Sequence, residues 1–240
     1  MTAPPEKVVT EPRMLPTVLQ RMSDRGWQYE VRRFSLEIAR VVLLLQQWIP
    51  FRGDAAARRA LTDLYTLSCA TPSDINEHLP TLSRLARECR HITEFGTRTG
   101  LSTTAFLLAQ PEKLFCYDTI QFPQVELLRG LAGQTAFVFH QADVLAVDIE
   151  ETDLLFIDTW HVYDQLKQEL SLHGGKVRRY IVLHDTTTFG ERGESDGYGG
   201  LWPAVEEFLT LGTFRLKERH ENNHGLTVLE RSHTERSPTA

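Results

Sequence analysis

From residue 91 onward, short apolar runs rich in β-formers alternate with helical stretches, and this alternation restricts the chain to one fold class. The runs cover 91–95, 114–118, 136–140, 153–158, 180–184, 214–218 and 226–229, with helices expected near 101–109, 123–131, 163–172 and 201–211. Strands separated by helices build βαβ units, so the sequence predicts an α/β domain with a mainly parallel sheet. The end differs. The last two runs are joined by Asn222-Asn223-His224-Gly225, a turn sequence that supplies positive φ angles for a tight hairpin. The last strand should therefore run antiparallel to its neighbour, with the hairpin tip on the side where the parallel strands end.

Before residue 91 the signals are helical. Dense apolar spacing from Tyr29 stops at Pro50, Asp54 caps a helix running to about Ser68, and Thr71-Pro72-Ser73-Asp74 opens another in which Pro80 should cause a division or bend. The expected organisation is a flexible tail over 1–13, a helical cap over 14–90, the α/β domain over 91–231 and a second tail over 232–240.

Composition excludes several classes. The net charge is -6, against a nucleic-acid binder that neutralises phosphates. Three cysteines, Cys69, Cys89 and Cys116, lack the spacing of a zinc site or disulfide framework and suit a reducing compartment. No signal peptide is visible, and the most apolar stretch, Ile38 to Ile49, is interrupted by Arg40, Gln46 and Gln47 and is too short for a bilayer. A cytoplasmic protein without membrane contact is expected. The basic, apolar N-terminal helices leave a homodimer open.

Between the first strand and its helix lies Gly96-Thr97-Arg98-Thr99-Gly100. Glycine there lets backbone approach a ligand, and the helix behind it offers unpaired N–H groups, with Ser102 and Thr103 nearby as donors. The next strand ends at Asp118, where a carboxylate can accept from both ribose hydroxyls. The third is followed by Asp143, placed to accept an adenine amino proton. Dinucleotide enzymes prefer GxGxxG; this loop lacks the middle glycine, and Glu94 just before it would repel a diphosphate but favour a cationic amino-acid moiety. S-adenosylmethionine meets both conditions.

The segment Glu94-Phe95-Gly96-Thr97-Arg98-Thr99-Gly100-Leu101-Ser102 resembles motif I, E-x-G-x-x-x-G-x-S, of class I S-adenosylmethionine-dependent methyltransferases of the catechol and caffeoyl-CoA O-methyltransferase type. The resemblance covers about 91–231 and implies a Rossmann-like seven-stranded sheet of order 3-2-1-4-5-7-6. It also implies Glu94, Gly96, Thr97, Gly100 and Ser102 around the methionine part of the cofactor, Asp118 on the ribose and Asp143 near the adenine.

Two further strands end in polar clusters, Asp158-Thr159-Trp160-His161 and His184-Asp185-Thr186. In a parallel sheet their tips are neighbours, which brings Asp158, His161, His184 and Asp185 together. Such a set either holds a divalent cation that acidifies a hydroxyl or lets histidine take the proton directly. Both segments look like those of bacterial small-molecule and sugar O-methyltransferases, including macrocin and cephalosporin-biosynthesis relatives. In the metal-dependent members an acid after strand 4 and an acidic pair after strand 5 bind the ion. Asp158 and Asp185 match, His184 replaces the other acid, and Thr186 stands where catechol-type enzymes have Asn. Magnesium or manganese therefore stays an open alternative, with His161 the favoured base. The glycine-rich stretch 189–200 reads as a lid.

The function expected is methylation of a hydroxyl on a small or glycosylated molecule. Two other readings stay open: a nucleotide-dependent oxidoreductase of Rossmann type, and a catalytically silent cofactor-binding subunit.

Overall fold

A computed structural model describes residues 54–232. The expected tail at 1–13, the expected tail at 232–240 apart from its first residue, and the helix read over Tyr29 to Ile49 lie outside the described residues. Seven strands form one sheet of order β3-β2-β1-β4-β5-β7-β6. They are β1 His91–Phe95, β2 Lys113–Asp118, β3 Ala136–Gln141, β4 Thr152–Ile157, β5 Val177–His184, β6 Phe214–His220 and β7 Leu226–Arg231. The first five run parallel, and β7 is antiparallel to both neighbours. Fold class, strand order and the antiparallel hairpin match the sequence reading.

Among the described residues six α-helices flank the sheet: α1 Asp54–Ala70, α2 Leu79–Ala86, α3 Leu101–Ala109, α4 Gln124–Leu131, α5 Tyr163–His173 and α6 Leu201–Thr210. Side chains alternate along a strand, so each strand feeds two cores. Ile92, Leu154, Phe156 and Val182 join Leu61, Leu64, Leu82 and Phe106 on one face. Phe95, Leu155, Ile157 and Leu183 join Leu166, Leu170, Val205 and Phe208 on the other. Helices α1 and α2 share the first core with the sheet, which continues without a break across residue 90.

Pro80 does not divide a helix. It is the second residue of α2, where the missing N–H costs nothing. The Thr71–Asp74 signal instead starts a turn, in which Ser73 Oγ accepts from the N–H groups of Ile75 and Asn76 and a 3₁₀ turn at Asn76–His78 follows. Cys69, Cys89 and Cys116 are free thiols. No helix among the described residues is long and apolar enough to cross a membrane.

Candidate functional site

Backbone hydrogen bonds continue past the strand ends. Gly96 N–H donates to Tyr117 O, Ala142 N–H to Asp118 O, and Asp158 N–H to Phe95 O, all at 2.9–3.0 Å. The loops after β1 to β4 therefore leave the sheet side by side. Between them lies a cleft of about 400 Å³, lined among others by Gly96, Asp118, Asp143, Asp158, Thr159 and Gln165.

Gly96 has φ +85°, and a Cβ there would stand 1.8 Å from the carbonyl oxygen of Asp158. Glycine at this position lets β1 and β4 end in contact, so it fixes the cleft floor. Gly100, with φ +76°, opens α3 close against Leu128 and lies behind the cleft. Asp118 accepts from the backbone N–H of Arg98 at 2.8 Å and of Ile120 at 3.1 Å, tying the glycine loop to β2. Asp143 spends Oδ1 on the N–H of Leu145, 2.9 Å away, as the cap of the 3₁₀ turn Val144–Ala146.

Glu94 and Ser102 correct the sequence reading. They do not face the cleft. Glu94 is fully buried and accepts from Ser102 Oγ (2.5 Å), Thr103 Oγ1 (2.7 Å) and Cys116 Sγ (3.0 Å). Burial pushes its carboxyl up to about 7 against the pull of those three donors. The reason is strand parity: Glu94 points to the same face as Ile92, toward α3, and away from the crevice. Thr97 is also buried behind the loop.

Beyond Asp158 the cleft meets the second cluster. His161 Nε2 lies 3.1 Å from Asp158 Oδ1 and 3.1 Å from Asp185 Oδ2. His184 Nδ1 lies 3.3 Å from Asp158 Oδ1 and 3.6 Å from Asp185 Oδ1. All four side chains are largely buried. Asp185 adopts the left-handed φ of 60°, sparsely populated for a residue other than glycine. Burial alone would raise Asp158, but His184 and His161 together hold it well below the usual carboxylate range. Burial would lower His161, but Asp158, Asp185 and Glu194 push it up to about 9. His184 is raised by the same carboxylates despite burial, and burial raises Asp185.

Sequence reasoning missed Glu194. Its Oε2 stands 3.0 Å from His161 Nδ1, and its own N–H donates to the His161 carbonyl at 2.9 Å. The stretch 189–200 is thus fastened over the cluster. Trp160 Nε1 donates to Ser195 Oγ, the Trp160 ring meets Tyr198 edge-on, and His161 stacks on Phe189. No sequence motif marks Glu194, because a loop acid becomes a histidine partner only through the fold. The hairpin tip does lie on the crevice side, with His224 Nδ1 4.0 Å from Asp185 Oδ1. His78 is buried between that turn and His184, its Nε2 3.0 Å from the carbonyls of Asn222 and Asn223. Asp74 pairs with Arg98 at 2.6 Å.

Asp158, His184 and Asp185 each present a ligand atom within 4.8 Å of the others. Two carboxylates and an imidazole are a donor set that suits magnesium, manganese or zinc.

No family model and no curated protein matches the chain. Its fold recurs in solved structures. A crystal structure of a Staphylococcus aureus protein assigned only by inference as a caffeoyl-CoA O-methyltransferase matches with TM-score 0.50 and 12% identity, over 82% of this chain and 100% of that one. Another, a Nostoc punctiforme protein likewise assigned only by inference as an O-methyltransferase, matches with TM-score 0.50 and 11% identity, over 70% of this chain and 60% of that one. At such identities the likeness establishes a common fold.

Proposed function

We propose that this protein is an S-adenosylmethionine-dependent methyltransferase acting on a hydroxyl of a small or glycosylated molecule. One observation carries the reading. The glycine loop, Asp118 and Asp143 share a cleft with Asp158, and Asp158 is hydrogen-bond partner to His161. A ligand lying along that cleft would put its adenosine end at Asp118 and Asp143 and its sulfonium end beside the carboxylate–imidazole cluster. The common fold with two structures described as O-methyltransferases supports the same assignment.

The chemistry follows from charge. The acceptor oxygen attacks the sulfonium methyl, the S–CH₃ bond breaks, and S-adenosylhomocysteine leaves. The acceptor's proton must go to a base, and His161 is that base. Its carboxylate partners hold it protonated in the free protein. A sulfonium approaching Asp158 competes for the same negative charge, so cofactor binding frees the imidazole to take the proton. Glu194 fixes the ring through Nδ1 and leaves Nε2 toward the carboxylates and the acceptor. The 189–200 stretch acts as the lid that excludes water.

Asp158, His184 and Asp185 are the residues that would hold a divalent cation, which would lower the pKa of an acceptor hydroxyl. A dinucleotide oxidoreductase fits less well, since the loop lacks the glycine that admits a pyrophosphate. The deciding experiment is transfer of a labelled methyl group to a panel of hydroxylated acceptors, with and without EDTA. Label on at least one acceptor is expected. Failure across the panel, in protein shown to bind the cofactor, would instead make this a silent binding subunit.

A further inference from the structure

On α5, Leu166, Glu169, Leu170 and His173 are buried at helical spacing, so a carboxylate stands in an apolar stripe. A leucine would complete that stripe without the cost of burying an acid. Glu169 instead accepts twice through the same oxygen, Oε1: from Thr159 Oγ1 at 2.6 Å and from Gln165 Nε2 at 2.8 Å. Its other oxygen, Oε2, is buried without a hydrogen-bond partner among the described residues. Both donors, Thr159 and Gln165, line the cleft beside Asp143.

We infer that Gln165 reads the adenine base of the cofactor by accepting a hydrogen bond from its exocyclic amino group, and that Glu169 is the positioning residue that holds the Gln165 amide in that orientation. The inference rests on reading the cleft as an S-adenosylmethionine site.

The argument is one of donors and acceptors. A glutamine amide carries one oxygen and one NH₂ on the same carbon. With the NH₂ drawn inward to Glu169, the oxygen turns to the other side, where no donor among the described residues meets it. Because Gln165 lines the cleft, that oxygen is the acceptor its side chain has left to offer a ligand there. Adenine offers an N–H donor at its 6-position; a 6-oxo purine offers a second acceptor there. Asp143, the other acceptor on that side, already has Oδ1 committed to Leu145. The orientation survives a change of charge on Glu169. Burial, with Asp143 nearby, pushes its carboxyl up to about 7 even though Thr159 and Gln165 pull it down. Both donors use Oε1, so a proton taken up by this carboxyl belongs on the unpartnered Oε2. Oε1 stays an acceptor in both states, and the Gln165 NH₂ stays inward.

The test is calorimetric titration of the full chain with S-adenosylhomocysteine and with its 6-oxo analogue S-inosylhomocysteine. The wild type should prefer the adenosyl ligand by about tenfold or more, the usual effect of one mismatched buried acceptor. Gln165→Leu, a partly exposed site in the first turn of α5, should lose that preference. Glu169→Leu frees the amide to turn and should also lose it, whereas Glu169→Gln keeps an acceptor oxygen at the same place and should retain it. Equal binding of the two ligands by the wild type, or an undiminished preference in Gln165→Leu, overturns the inference and leaves the cofactor reading intact. A wild type that binds neither ligand overturns that reading itself, and the inference with it.

Discussion

Nε2 of His161 lies 3.1 Å from a carboxylate oxygen of Asp185, so residues that follow two different strands share one contact. Asp158 approaches the same nitrogen at the same distance. The imidazole therefore bridges two acids, and its protonation is tied to theirs.

In the free protein His161 should titrate near 9, well above an ordinary histidine. A histidine raised in the folded state stabilises fully below about 6.5, and that contribution is lost as pH climbs through 9. The amount is on the order of 3 kcal/mol. Imidazole resonances followed by NMR against pH would show it, and Asp158→Asn should move the midpoint down. A midpoint near 6.5 in the wild type contradicts the bridge.

Glu194→Gln should lower the same midpoint by a smaller step, since Gln keeps an acceptor for Nδ1 but carries no charge. A midpoint that does not move would show that the 189–200 stretch contributes nothing to the histidine's charge.

Glu94 acts in the same direction at lower pH. Its folded carboxyl is raised, so the unfolded chain ionises first and the folded state loses stability as pH rises from about 4.5 to 7. Glu169, raised to about 7, adds to the slope. Urea unfolding at pH 5 and pH 8 should give a smaller difference in Glu94→Gln than in the wild type. An unchanged difference would place the slope elsewhere.

Gly96→Ala sets a Cβ against the Asp158 carbonyl at a positive φ, and neither backbone can yield. A loss of about 3 kcal/mol or more in thermal or urea unfolding is expected. Gly175→Ala, where a Cβ meets nothing within 4 Å, should be nearly neutral. Similar losses at both positions would contradict the close packing of β1 on β4.

Much of this was legible in the sequence, and the rest was hidden for physical reasons. Alternating runs gave the parallel sheet, and Asn222–Gly225 gave the hairpin, because both depend on local chemistry. The meeting of Asp158, His161, His184 and Asp185 followed from parallel neighbours ending at one edge. Glu94 was misplaced, although the apolar Ile92 two residues earlier marked its face as the buried one. Glu169 was overlooked, yet an acid within the Leu166–Leu170–His173 stripe was the visible signal. Glu194 gave none, since only the path of the loop brings it to His161.

A manganese titration bears on the metal alternative. Because Asp158 and Asp185 hold a protonated His161, cation binding there should release a proton and tighten as pH rises. Asp158→Asn should abolish it. Binding that is indifferent to pH and to that substitution would place the ion elsewhere.

The central claim is that the tips of β1 to β4 form one adenosine-binding cleft, and calorimetry with S-adenosylhomocysteine tests it most directly. The account predicts saturable binding of one ligand per chain, weakened at least about tenfold in Asp118→Ala, which removes the ribose acceptor and unties the glycine loop from β2. No heat of binding, or full affinity in Asp118→Ala, would contradict it.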